Sequence, residues 1–510
     1  MSSWSKGYVG DIEYLPGFYV EQTPGHIQLA CLLNGYQPPL ESPSFTYCEL
    51  GCGQGTTAMV IAAANPRARI VAIDFNPAQI ARARREAIEA GLTNIEFFEL
   101  SFEELVTRPD LIDFDIVTLH GVWSWISQNN REHIVSFLKR GVKPGGAVAV
   151  SYNAMPGWTS LLPFQRMLFE HAKLSGGRSD KKVINSLDFI ELMQKTGCNV
   201  VGDTKFFDRF RPSNKVRNES DHAVYLAHEY LNENWQPLYF MDTAGMLEAA
   251  KLNFVASASM LDNFPDLMLT PDQRKVYDSY AQPDFREMLK DYFVNRPFRR
   301  DIFIKGAQKI SDLRRDQLLN SYSLVLLAPQ SAVKYTLGVP AGEANLPRDQ
   351  YGYIYEQLAN GPKSLGSLTE TRNNPTAIEI AGILVGSGQA APIIWSNVHS
   401  QEGSNLFNKK SVEKIINREA STTALAVAAT GSGININAIE AVIFSLLISG
   451  VQMHELKERA LHALVQGSGP LLIEGVETTD VSKISSTLEA ACDWFLENTL
   501  NIWRHLSLIK

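Results

Sequence analysis

From about Phe45 to Ser151, short runs of β-branched and aromatic residues alternate with stretches whose apolar positions recur at helical spacing. Phe45–Leu50 reads as a strand that runs into a glycine loop, and Met59–Ala64 as the helix after it. Arg69–Asp74 is a second strand, and Pro77–Ala90 an amphipathic helix with Gly91 placed to cap it. Ile95–Phe98, Phe114–Leu119 and Ala147–Ser151 supply three more strands; Arg131–Arg140 is helical, and Lys143-Pro-Gly-Gly turns back into the sheet. This alternation predicts an α/β, doubly wound, Rossmann-like parallel sheet covered on both faces.

After Ser151 the alternation stops. Leu161–Lys173 reads as a helix, followed by the polar loop Leu174–Lys182. From His222 to Ser311 helical patterns rich in aromatics dominate, at Ala223–Leu231, Asp242–Leu252 and Phe285–Phe293, which predicts a mainly helical second domain. Pro347–Trp395 shows three short helical patterns and then a β-wing at Ala390–Trp395, the order of a winged-helix-like unit. The remainder, to Lys510, is apolar helix and glycine turns without a chemical signature, and no internal repeat stands out. The expected domains are an N-terminal arm over residues 1–37, a core over 38–175, a helical regulatory or substrate domain over 176–320, and a C-terminal domain over 321–510.

A length of 510 residues agrees with roughly two to four domains. The net charge of −8, from 47 Lys+Arg against 55 Asp+Glu, lacks the basic excess that phosphate-backbone binding needs, so nucleic acid is disfavoured. In the winged-helix-like segment Arg348, Lys363 and Arg372 face Asp349, Glu356, Glu370 and Glu379, which favours packing or protein docking over DNA reading. Five sparse cysteines fit a reducing cytoplasm better than a disulfide framework. The longest apolar stretch, near Ala438–Ile448, is too short to cross a bilayer, and no signal core precedes the arm, so the expectation is a cytoplasmic protein without membrane insertion.

The sharpest chemical signal is Glu49-Leu-Gly-Cys-Gly-Gln-Gly55, between a strand and a helix. Gly51, Gly53 and Gly55 remove side chains where the backbone turns tightly and approaches a ligand. The alternation G-x-G-x-G with an acid two residues before it differs from a dinucleotide loop, because Glu49 repels phosphates and welcomes a cation. It suits a ligand with a positively charged amino-acid end, as S-adenosylmethionine has. Asp74 ends the second strand about 20 residues further on, where a carboxylate accepts hydrogen bonds from ribose hydroxyls; its competing role is a helix N-cap. At the end of the third strand stand Ser101 and Phe102, with Glu103 beside them.

These motifs resemble the class I S-adenosylmethionine-dependent methyltransferases over about Pro38–Ser151; that family usually places an Asp for the adenine amino group where Ser101 stands, so the resemblance implies an adenine contact from the Ser101 hydroxyl, the Phe102 backbone or Glu103. His120–Ile126, Ser151–Trp158 and His228–Asp242 resemble a narrower group that carries a methyltransferase regulatory domain after the core and includes bacterial lysine methyltransferases of outer-membrane proteins. The resemblance implies a protein substrate, such as an outer-membrane or surface protein before export.

The acceptor pocket in this fold lies at the ends of strands four and five, where aromatics crowd. Trp123, Trp125, Tyr152 and Trp158 are candidates for a channel that holds an alkyl-ammonium by cation–π contact, or for a lid packed over the cofactor. Tyr152, His120 and Asn153 are the candidates for aligning the acceptor nitrogen or passing its proton to water; His120 also borders the cofactor and has a rival reading as a buried strand-end histidine. Tyr14, in the arm with Tyr8 and Tyr19, is a further substrate-side candidate. No metal site is expected: His222 and His228 miss the i, i+4 spacing, and Cys48 and Cys52 lack matched partners. The leading expectation is protein-lysine N-methylation. Methylation of a small molecule or cell-surface glycan, and non-catalytic cofactor binding, remain as alternatives.

Overall fold

The computed structural model describes residues 7–14, 16–199, 219–370, 374–395, 402–417, 423–466, 471–473, 476–478 and 480–509. The first six residues of the expected arm and 200–218 of the expected regulatory domain lie outside them.

Five strands form the parallel part of one sheet: β1 (Thr46–Leu50), β2 (Arg69–Asp74), β3 (Ile95–Glu99), β4 (Phe114–Leu119) and β5 (Val142–Asn153). Successive residues of each strand point to opposite faces, so an unbroken apolar run covers both. On β2, Ile70 and Ala72 enter one core while Val71 and Ile73 enter the other; on β5, Ala147 and Ala149 oppose Val148 and Val150. Helices α1 (Pro24–Leu33), α2 (Thr56–Ala64) and α3 (Pro77–Glu89) cover the first face, and α4 (Phe102–Val106) and α5 (Gln128–Gly141) the second. Asn76 starts α3 by accepting from Ala78 N and Gln79 N, Pro77 occupies its first turn, and Ile80, Ala83 and Ala87 form its buried stripe.

The region expected to be a separate helical domain instead completes this sheet. Strands β6 (Leu252–Ser257) and β7 (Phe298–Lys305) extend it to the order β3-β2-β1-β4-β5-β7-β6, with β7 antiparallel to both its neighbours. Seven residues of β5, Ala147–Asn153, pair with Phe298–Ile304. Helices Phe240–Glu248 and Pro283–Val294 flank these strands. The expected boundary near residue 175 falls between α6 (Leu162–Lys173) and α7 (Ser179–Lys195), which share one core with helix Glu219–Tyr230 through Leu168, Val183, Ile190 and Leu226.

Arg299-Arg300-Asp301 made this strand hard to see, because three consecutive charges read as surface loop. Arg299 is 3% exposed and bonds three carboxylates: Nε to Asp301 Oδ2 at 2.8 Å, Nη1 to Asp291 Oδ1 at 2.7 Å, and Nη2 to Glu287 Oε2 at 2.9 Å. Arg296 adds a second cation to Asp291 at 2.8 Å, and Lys290 one to Glu287 at 2.8 Å. Lys290 and Arg299 outweigh the burial of Glu287 and hold its carboxyl down at about 2. Tyr152, on β5, donates to Asp301 at 2.6 Å, so the cluster clamps β7 to the parallel sheet.

In the C-terminal half, Ser323–Leu326 is the centre of a three-stranded antiparallel sheet between Lys363–Ser364 and Ala390–Ile393. Helices Arg348–Ala359, Leu365–Leu368 and Ala377–Gly386 occupy the three expected helical stretches. The central strand of this sheet, Ser323–Leu326, lies upstream of Pro347, outside the expected winged-helix-like segment. Helix Ala377–Gly386 packs closely on the regulatory region: a Cβ at Gly382 would lie 2.2 Å from the Phe264 ring. Helix Glu402–Ile416 lies on α2 and α3, with Ser404 Oγ donating to Ala63 O at 2.9 Å and Lys414 pairing with Glu86 at 2.6 Å. Among the described residues no helix is long and apolar enough to cross a membrane, and no cluster of three metal-ligating side chains occurs.

Removing the hub cation leaves buried Asp301 without a cation and Asp291 and Glu287 with one each, so Arg299→Ala is expected to destabilise the protein by about 3–5 kcal/mol. Urea unfolding measures this, and a loss below about 1 kcal/mol would show that the cluster does not hold β7.

Candidate functional site

A cavity of about 250 Å³ opens at the C-terminal ends of β1, β2 and β4, where an open α/β sheet binds its ligands. Glu49, Gly51, Gly53, Asp74, Ser101, Phe102 and His120 all line it, so the structure brings together every cofactor-side residue expected from the sequence except Gly55. Gly51 and Gly55 lie in the left-handed region at φ +72° and +73°. A Cβ at Gly51 would stand 2.4 Å from Val122 Cγ2, and one at Gly55 2.4 Å from Phe97 Cε1. Gly55 is therefore a packing glycine at the start of α2.

Asp74 is buried and tied to the backbone: Gly53 N donates to its Oδ2 at 2.9 Å and Asn76 N to its Oδ1 at 2.9 Å. Asn76 is the cap of α3, which leaves Asp74 to the cavity. Burial pushes its carboxyl upward, against those hydrogen bonds. Glu49 is buried too, and its Oε2 has no hydrogen-bond partner among the described residues. Burial is the main cause that pushes it up to about 8. Ser101 caps α4 and is committed there: Glu104 N donates to its Oγ at 3.2 Å, and its hydroxyl donates to Glu104 Oε2 at 2.7 Å. Its proton is thus spent inside a capping box, and the Phe102 backbone is the better placed of the expected adenine contacts.

His120 ends β4. Its Nδ1 is 3.1 Å from Ser151 Oγ, and its ring stacks on Tyr19 with centroids 3.6 Å apart. Burial and then the nearby Arg300 cation lower it to about 4, so the imidazole is neutral at physiological pH.

The arm forms the outer wall through Tyr8, Tyr14, Pro16, Gly17 and Tyr19. Gln54 Nε2 donates to Tyr14 O at 3.0 Å, Thr57 Oγ1 to Gly17 O at 3.2 Å, and Asn130 Nδ2 to the Tyr8 hydroxyl at 2.8 Å. Gln54, Thr57 and Asn130 also line the cavity and were not expected; Gln54 lies inside the glycine loop, the one signal that could have found it.

The expected aromatic channel divides. Trp125 and Tyr14 line the cavity. Trp123 is fully buried in the core of the second sheet face. Tyr152 follows Val148 and Val150 onto that same face, away from Ser151, and its hydroxyl serves Asp301. Asn153 donates to Glu229 at 2.7 Å, and Trp158 donates from Nε1 to Pro297 O at 2.7 Å while packing edge-on against Trp235. Tyr152, Asn153 and Trp158 thus tie the core to the regulatory region, and of the three acceptor-aligning candidates only His120 reaches the cavity.

Comparison with known proteins places this geometry. A methyltransferase domain matches residues 48–148, and a predicted methyltransferase regulatory domain matches 222–305. An uncharacterised protein of Synechocystis, sll1526, is 34% identical over 448 residues, which cover 86% of this chain and 87% of that one. The chain belongs to the class I S-adenosylmethionine-dependent methyltransferases that carry a regulatory domain. The methyltransferase also shares the fold of PKMT2 from Rickettsia typhi, solved in complex with AdoHcy, with a TM-score of 0.68 at 17% identity over 97% of this chain and 99% of that one. A Rickettsia prowazekii protein, RP789, is 24% identical over 62% of this chain and 56% of its own length.

The cofactor of this methyltransferase is S-adenosylmethionine, and its residues fit it. The described lining contains two carboxylates, Glu49 and Asp74, and no lysine or arginine, an environment for a cation. Asp74 would take the ribose hydroxyls, Glu49 the amino-acid end, and Leu100–Phe102 the adenine. When bound, S-adenosylmethionine supplies an electrophilic methyl group on a sulfonium.

Because Glu49 titrates higher in the folded state than its ordinary 4.5, the folded protein holds more protons than the unfolded chain between about pH 4.5 and 8. Stability of the ligand-free methyltransferase is expected to fall across that window as pH rises, and Glu49→Gln to remove this part of the slope. Urea midpoints at pH 6 and 8 check it; equal slopes in both proteins would show that Glu49 is not the group responsible.

Proposed function

We propose that the methyltransferase is a protein-lysine N-methyltransferase. The observation that carries this reading is the charge of the cavity: two buried carboxylates, aromatic rings and a neutral imidazole, with no basic side chain among the described lining residues. Such a pocket favours a cationic cofactor and an alkyl-amine acceptor over a phosphorylated or acidic one. Trp125 and Tyr14 offer ring faces to the lysine stem, and the apolar surroundings lower the amine pKa so that its neutral form is presented. Neutral His120, held between Tyr19 and Ser151, adds no positive charge near the reacting centre and can accept a hydrogen bond from the amine.

Fold likeness to PKMT2 along nearly the whole chain supports the same reading, because it extends over the regulatory and C-terminal regions that a small acceptor would not need. Outer-membrane or surface proteins before export are the substrate class that the sequence resemblance suggests.

Incubation with methyl-labelled cofactor and fractionated cell extract is expected to place the label in protein and, after hydrolysis, in methylated lysine. Trp125→Ala should lower that transfer about tenfold while leaving S-adenosylhomocysteine affinity within about twofold. Label in glycan or small molecules, or no transfer, would overturn the lysine reading.

A further inference from the structure

β7 serves the two faces of the sheet with alternate residues. It runs antiparallel to β5 with Arg300 opposite Ser151 and Arg299 opposite Tyr152, and residues opposite each other share a face. Arg299 therefore turns with Tyr152 into the carboxylate cluster, whereas Arg300 stands on the face where Ser151 meets His120. Phe298, two residues earlier on that face, lies edge-on to the His120 ring with centroids 6.2 Å apart, and the Arg300 guanidinium lies 5.0 Å from the Phe298 centroid.

The arm reaches the same place from the other side. Its last turn, Val20–Gln22, comes just before α1. Tyr19, which opens the turn, stacks on His120, and Glu21, within it, lies 3.4 Å from Arg300 Nε. The turn is closed by Gln22 N and Thr23 N, which donate to Tyr19 O and Val20 O, while Tyr19 N donates to Thr57 Oγ1 at 3.3 Å. Arg300 also donates from Nη1 to Ser259 Oγ at 3.3 Å, so its guanidinium is held between the regulatory region and the arm. Burial alone would raise the Glu21 carboxyl; Arg300 is the chief influence that brings it below its ordinary value, with His26 next.

We propose that Arg300 is a positioning residue of the methyl-transfer site: by pairing with Glu21 it seats the Val20–Gln22 turn, keeps Tyr19 over the His120 ring, and makes the regulatory region a determinant of the acceptor side of the cavity. The inference deepens the lysine reading and rests on it for the role of His120. Arg300 does not line the cavity, so it acts on the reaction through two residues of the arm.

Glu21→Gln and Arg300→Met test this in the ligand-free protein. Each is expected to speed hydrogen exchange of the Tyr19, Gln22 and Thr23 amides about fivefold, and the double variant to speed it no further. The titration of His120, followed by NMR and assigned with His120→Gln, separates seating of the arm from a simple charge effect. His120 is faced by Tyr19 and Glu21 from the arm, Ser151 from β5, and Phe298 and Arg300 from β7. Burial lowers the imidazole most, Arg300 lowers it further, and Glu21 raises it. Loss of the Glu21 charge alone would therefore move His120 further down, whereas lifting Tyr19 exposes the ring and moves it up. The expected result in Glu21→Gln is the upward shift. Unchanged exchange, additive effects in the double variant, or a His120 titration that stays in place or falls in Glu21→Gln would overturn the proposal. Glu21→Gln leaves β7 intact and carries the test should Arg300→Met not fold. Transfer of label to protein lysine should fall about fivefold in each variant, and undiminished transfer would also overturn it. Wild-type protein that labels no lysine overturns the lysine reading instead, and exchange and titration then decide the role of Arg300.

Discussion

Burying a carboxylate without a counter-ion is among the costlier things a fold can do, and this one does it at the ends of two adjacent strands. Asp74 is compensated by two backbone N–H groups, whereas Glu49 keeps an oxygen with no partner among the described residues. Arg82 is engaged with Glu13 and Glu86, and Arg300 with Glu21. Burial holds Glu49 up at about 8 and raises Asp74, so a cationic ligand is what stabilises the ionised form of both carboxyls. Glycine turns that let backbone approach, aromatic walls that tolerate a cation, and a neutral histidine all conform to that requirement.

Elsewhere the same chain buries a larger cluster of charge and pairs each carboxylate in it with a cation. Arg299 touches Asp291, Asp301 and Glu287, with Arg296 and Lys290 sharing two of those carboxylates. That cluster fastens β7 to β5 through Tyr152 and so makes the regulatory region part of the catalytic sheet. The contrast separates the two uses of buried polarity: saturated networks hold elements in register, and an unsaturated group marks where a ligand belongs. Every cut between β5 and β7 severs this sheet, so the regulatory region is not an appendage to the fold.

The parallel sheet and half of the site were legible in the sequence because they depend on local order. Strand and helix periods, the glycine loop with Glu49 before it, and Asp74 at the next strand end all lie within one stretch of chain. β7 was not legible, since its charges are neutralised by side chains distant in the fold. Period-two alternation could have placed Tyr152 opposite Ser151, and hence away from the cavity, but the density of aromatics near the strand ends pointed the other way.

A crystal structure of the methyltransferase with S-adenosylhomocysteine measures the central claim most directly. The ribose hydroxyls are expected within hydrogen-bond distance of Asp74 and the α-ammonium on Glu49. A ligand bound outside this cavity, or one whose amino-acid end faces solvent and leaves Glu49 unpartnered, would contradict it.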